Sequence, residues 1–169
     1  ALLWASSCAQ WRESRKFKEM IPVCLQDFSL GQRFISPAHA LDAEQVMAFA
    51  RQFDPQSFHL DETAASGSFF RGLVASGWHT AAISMSLLLK SGAVAAGGLI
   101  GVGADISWPH PTRPDDVLHL EIEILSVTPW RGKPDRGIVT IFCETKNHRG
   151  EAVQTMTCRV VAFRRSKPR

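Results

Sequence analysis

Asp54 and His59 stand five residues apart in Phe53-Asp54-Pro55-Gln56-Ser57-Phe58-His59-Leu60-Asp61. Thirteen residues after the histidine comes Gly72-Leu73-Val74-Ala75-Ser76-Gly77-Trp78-His79-Thr80, which opens a long apolar run. A carboxylate and an imidazole on a short proline-containing loop can share one water and divide acid and base work between them. A glycine in the first turn of a helix offers a backbone N–H without an intrahelical acceptor, at the positive end of the helix dipole. These are parts for adding water to, or removing it from, a substrate activated by a carbonyl.

Each residue also has a plainer reading. Asp54 can simply end a helix beside Pro55, and His59 alone is an ordinary loop histidine. Asp61 suits an N-cap better than a catalytic acid. Gly77 can be a packing glycine that lets a strand approach, or can admit a substrate carbonyl. Ser76 reads as a helix-end hydrogen-bonding residue, with substrate contact as its second reading. A nucleophilic reading is weak, because Ala75-Ser76-Gly77 lacks the Gly-x-Ser-x-Gly elbow. His79 reads as packed or facing an interface. The other histidines, His39, His110, His119 and His148, are dispersed and form no metal-ligand spacing, so no metal is expected. Gly97-Gly98-Leu99-Ile100-Gly101 opens a strand rather than a helix, which argues against a dinucleotide cofactor. Trp108 and Trp130 read as core or interface residues.

The elements that must position these groups follow from periodicity. A strand is expected from Phe28 to Ala40, with a turn or bulge at Gly31. Asp42 caps a helix in which Val46, Phe49, Ala50 and Phe53 recur at helical spacing, and Asp54-Pro55 ends it. Asp61 opens a second short helix that Gly67 closes. Leu73 to Leu89 is apolar almost all round, which predicts a helix buried on every side. Strands follow over Leu99–Ser107, Val117–Val127, Gly137–Thr145 and Ala152–Phe163, with Asn147-His148-Arg149-Gly150 as a hairpin turn. The order is α+β: a curved antiparallel sheet around one apolar helix. An exposed sheet edge would need a partner, so a symmetric dimer is expected.

Composition bounds the rest. The 169 residues, 45% apolar and 21% charged, suit one globular domain. The net charge of +3 is modest, and the basic residues cluster near the two ends as solvated tails rather than a nucleic-acid footprint. Residues 1–24 read as a loosely packed extension, with Met20 as a possible natural start, residues 25–164 as the domain, and 165–169 as a basic tail. Cys8, Cys24, Cys143 and Cys158 lack any paired spacing, which fits a reduced, cytoplasmic setting. No signal peptide or membrane helix is expected.

The ordered motifs resemble the MaoC-like dehydratase group of the hot-dog fold, best known for (R)-specific enoyl-CoA hydratases. Asp54-x-x-x-x-His59-x-Asp61 followed by Gly72 to Gly77 carries the resemblance. Phe28-Ser29-Leu30-Gly31-Gln32, Pro111-Thr112-Arg113-Pro114-Asp115-Asp116-Val117-Leu118 and Lys146-Asn147-His148-Arg149-Gly150-Glu151-Ala152-Val153 support it, so that it spans about residues 25 to 163. It implies Asp54, His59 and the Gly77 N–H as catalytic groups. It implies an acyl-CoA or acyl-carrier thioester as substrate, no separate cofactor, and a site near a dimer interface. Ser76, Gly72, Met85 and Arg71 are the implied substrate contacts, with Arg71 or Arg113 against the carrier's phosphates. Three departures stand out: Gln56-Ser57 where many members have Asn-Pro, Ser76 where many have His, and Met85 where some have Ser. Thioester hydrolysis and non-catalytic acyl-thioester binding are the alternative readings on the same fold.

Overall fold

The computed structural model describes residues 23–95 and 97–165. The expectations for residues 1 to 22 and for the last four residues of the basic tail lie outside that range. A single 3-10 turn, Leu25–Asp27, leads into β1 (Arg33–Ile35) and β2 (His39–Ala40). Helices α1 (Ala43–Phe53), α2 (Ser57–Leu60), α3 (Glu62–Ser66) and α4 (Gly77–Lys90) follow. The long strands β3 (Ile100–Ser107), β4 (Val117–Pro129), β5 (Arg136–Lys146) and β6 (Ala152–Phe163) complete the chain. Among the described residues the sheet is antiparallel, in the order β1-β4-β5-β6-β3, with β2 also on β4. This is the α+β hot-dog arrangement, a sheet wrapped on a central helix. No helix of the described residues is long and apolar enough to cross a membrane.

The strand expected over Phe28–Ala40 is two short ones on the same edge of β4. Pro37, which has no N–H to donate, interrupts it. Ser36 keeps the connection in register: its N–H donates to Leu120 O at 2.9 Å, and its hydroxyl accepts the Leu120 N–H at 2.9 Å.

Side chains on the concave face carry the core. Leu118, Leu120, Ile122 and Ile124 of β4 alternate with outward polar residues and are at most 2% exposed. Opposite them, Val139, Ile141 and Cys143 of β5 and Met156, Cys158 and Val160 of β6 face the same side. Burying one such aliphatic side chain contributes about 1.5–3 kcal/mol.

The central helix departs from expectation twice. It starts at Gly77, not Leu73, because Ala75 donates its N–H to Thr112 O at 2.8 Å and holds the preceding segment extended. Nor is it buried on every side. Trp78 (62% exposed), Met85 (41%) and Leu89 (40%) form a bare apolar stripe, because the sheet covers only the opposite face. That opposite face carries hydroxyls at helical spacing. Thr80 donates to Thr112 Oγ1 at 2.9 Å, and Ser84 meets Thr145 Oγ1 at 2.6 Å, all four buried.

Between α1 and α4, His79 stacks on Phe49 with ring centroids 4.6 Å apart and planes 6° from parallel. It is buried, as expected of a packed residue, and its Nδ1 has no hydrogen-bond partner among the described residues. Burial, with a smaller contribution from nearby His39, depresses its pKa to about 4 from 6.5. The unfolded chain therefore binds the extra proton first as pH falls, so stability is complete above about 6.5 and declines toward 4. Denaturant titrations across that window should show a loss of up to about 3 kcal/mol from this group. His79→Phe, which keeps the stack and cannot titrate, should flatten that slope by one proton's worth. An unchanged slope would show that His79 is not the group responsible.

Candidate active site

The site is built where α1 stops. Asp54 terminates that helix, its N–H still reaching Ala50 O at 3.0 Å, and Pro55 prevents continuation. The chain then makes the single turn of α2, which carries His59 inward to a buried position. Phe58 packs edge-on against the imidazole, with centroids 4.5 Å apart. The extended segment before α4 runs alongside, and Val74 O accepts from His59 Nδ1 at 2.7 Å. A carbonyl can only accept, so Nδ1 carries a proton, and Nε2 is the ring nitrogen left to face the rest of the site.

His59 Nε2 lies 3.4 Å from Asp54 Oδ2. Imidazole and carboxylate therefore face each other directly, with the polar edge of both turned to the same space. Ser76 donates its hydroxyl to the same Asp54 oxygen at 2.6 Å, and the Gln56 side-chain amide donates to Oδ1 at 2.8 Å. Burial by itself would raise the Asp54 pKa. The hydrogen bonds from Ser76 and Gln56, with the nearby His59, outweigh it and hold the carboxyl below its usual value of 3.8.

Ser76 is also the N-cap of α4, accepting the Trp78 N–H at 3.2 Å. The next residue, Gly77, opens the helix, where its N–H has no intrahelical acceptor. Ser76 thus links the carboxylate of the Asp54–His59 pair to the helix end that Gly77 opens. The glycine itself has a packing cause. A Cβ at position 77 would come within 2.8–3.1 Å of three atoms of the Trp108 ring, which leaves the end of β3 to lie over this turn. Trp108 is held there by its Nε1–H, which donates to Gln154 Oε1 at 3.0 Å.

The remaining sequence-derived positions separate. Asp61 is the N-cap of α3, accepting the Ala64 N–H at 2.7 Å. Ser76 gives its one hydroxyl proton to Asp54, which places it in contact with the Asp54–His59 pair. Gly72, at φ 151°, donates its N–H to Ala65 O at 3.0 Å and closes the loop after α3. Arg113 braces that loop through a bond from Nη2 to Phe70 O at 2.7 Å. Arg71 is exposed, in a left-handed conformation at φ 53°. Met85 lies about 12 Å along the helix from Gly77. There it lines an apolar groove of about 300 Å³ with Leu99, Ala104, Met156, Cys158 and Val160.

Two contributors were not foreseen. Gln56 registered only as a departure from Asn-Pro, although its place two residues after Asp54 permits the amide to fold back on the carboxylate. The approach of Trp108 to Gly77 depends on how β3 pairs with β6, which no local pattern reveals.

Comparison with known proteins gives a consistent picture. Residues 11–146 match the sequence model described as the MaoC like domain. A MaoC-like dehydratase from Rhodospirillum rubrum is 54% identical and superposes with a TM-score of 0.84, covering 86% of this chain and 99% of that one. The uncharacterized protein YdeM of Bacillus subtilis is 34% identical over 126 residues, which make up 74% of this chain and 88% of that protein. The unliganded R-hydratase PhaJ1 of Pseudomonas aeruginosa shares the fold at a TM-score of 0.71 and 19% identity, over 88% of this chain and 95% of its own.

Gly77→Ala should destabilise the fold by about 1–3 kcal/mol through collision with the indole. In a denaturation double-mutant cycle, combining it with Trp108→Leu should cost clearly less than the sum of the two single changes. Strict additivity would mean that the ring does not enforce the glycine.

Proposed function

The chain belongs to the MaoC-like dehydratase family, and from that footing we propose that it hydrates a trans-2-enoyl thioester to the (R)-3-hydroxyacyl thioester, or runs the reverse dehydration. The observation that supports this reading is the 3.4 Å approach of His59 Nε2 to Asp54 Oδ2, with Ser76 joining that carboxylate to the helix end where the Gly77 N–H lacks an intrahelical acceptor. The (R) stereochemistry and the thioester carrier are part of the proposal, taken from the resemblance of the motifs to (R)-specific enoyl-CoA hydratases.

The reaction uses the three groups together. A water held between Asp54 and His59 gives one proton to the dyad as its oxygen bonds to C3. The C2–C3 π electrons shift toward the thioester, and the Gly77 N–H donates to the carbonyl oxygen as negative charge gathers there. The enolate collapses, and C2 takes a proton from the dyad. An oxyanion donor of this kind contributes about 10²–10³ in rate, and a positioned acid or base about 10²–10⁴. The apolar groove beneath Met85 is the proposed path of the acyl chain. No metal or organic cofactor is part of the proposed reaction.

A homodimer is proposed with it. β3 ends the sheet among the described residues, with Ile100 and Val102 exposed beside the open groove and the bare stripe of α4. A second copy covering that edge would remove an unpaired strand and close the groove.

Asp54→Asn and His59→Gln should each lower hydration of crotonyl-CoA by about 10²–10⁴ with an unchanged circular dichroism spectrum. Loss of the enoyl absorbance, with chiral analysis of the product, reads the reaction. Release of free thiol without hydration would instead identify a thioesterase. Wild-type rates in both variants would discard the assignment.

A further inference from the structure

We propose that Ser76 and Gln56 are positioning residues: together they fix both oxygens of Asp54 so that Oδ2 faces His59, and Ser76 joins that carboxylate to the helix end that carries the Gly77 amide. The inference rests on the hydration reading above and extends it to two residues that do not touch the reacting atoms.

The geometry is specific. One hydroxyl has one hydrogen and two lone pairs. At Ser76, 1% exposed, the hydrogen goes to Asp54 Oδ2 at 2.6 Å while a lone pair accepts the Trp78 N–H at 3.2 Å. The oxygen that caps α4 is therefore the one that orients the carboxylate. A rotation of Asp54 about its side chain would break this bond, and a displaced helix start would break it too. Gln56 closes the other half of the carboxylate at 2.8 Å. Oδ2 is left with its remaining lone pair toward the space shared with His59 Nε2.

The carboxylate is also kept charged by these contacts. The titratable group acting on Asp54 is His59 from α2; the start of α4 contributes the Ser76 hydroxyl, and the loop after α1 contributes the Gln56 amide. With both donors in place, Asp54 remains ionised to a lower pH than burial alone would allow. Removing either donor moves the balance toward the neutral acid.

Ser76→Gly separates this role from capping, because glycine at an N-cap costs a helix little while it deletes the hydroxyl. The variant should stay folded with an unchanged circular dichroism spectrum, lose about tenfold in kcat with KM changed less than twofold, and raise the acid limb of the kcat profile by about one pH unit. Gln56→Leu, at an exposed position, should raise the same limb by a smaller amount, and Ser76→Thr should restore it. A carboxyl carbon NMR titration of Asp54 in the intact protein and in each variant reads the same shift without any substrate. An unmoved Asp54 titration in both Ser76→Gly and Gln56→Leu overturns the proposal, even if hydration itself is observed. Conversely, shifted titrations in a protein that hydrates no enoyl thioester would uphold the clamp on Asp54 and refute the enzymatic reading it was built on.

Discussion

The hydrogen bond from Ser76 to Asp54 is the point on which this molecule turns. Everything on one side of it is loop chemistry: a helix stopped by proline, one turn of α2, and an imidazole locked into a single tautomer by Val74 O. Everything on the other side is scaffold: a capped helix lying on a long antiparallel sheet. Loops hold functional groups accurately only when something rigid indexes them. Here a serine already required to satisfy a helix end does so, which couples the acid–base pair to the amide without a dedicated element.

The scaffold side is unusually polar along one line. Ser76 at the cap of α4, and Thr80 and Ser84 within it, recur every fourth residue and meet Asp54, Thr112 and Thr145 in turn. Buried hydroxyls cost free energy unless they are paired, and each of these is. Directional bonds replace part of the dispersion contact that Leu or Val would supply. The opposite face of the same helix, with Trp78, Met85 and Leu89 bare, is apolar and adaptable. One helix thus presents a fixed polar side to its own sheet and a soft apolar side outward.

Much of this was legible in the chain. Asp42 and Asp61 as N-caps, Asp54-Pro55 as a helix stop, and the alternation of Leu118, Leu120, Ile122 and Ile124 are local signals, and local physics decides them. Asp115, within the Pro111–Leu118 motif, adopts a left-handed φ of 69°, which aspartate tolerates better than most residues. What escaped was set by distant pairing. The start of α4 at Gly77 depends on Thr112 taking the Ala75 N–H, and the split of the first strand depends on which stretches of β4 it meets. The composition of α4 announced an apolar helix but not which of its faces the sheet would leave bare. Within the site, Asp54 and His59 were named by spacing, whereas Gln56 and Trp108 emerged only from three-dimensional proximity.

The hydroxyl line on α4 has one more consequence. A helix seated by greasy contacts alone can creep along its axis or roll by a few degrees at small cost, since such contacts have no preferred direction. Thr80 against Thr112 and Ser84 against Thr145 act as locating pins, each tolerating only a few tenths of an ångström. The position of the amide at the tip is therefore set from the middle of the sheet, two turns away, and a change at Thr145 would be felt at Gly77.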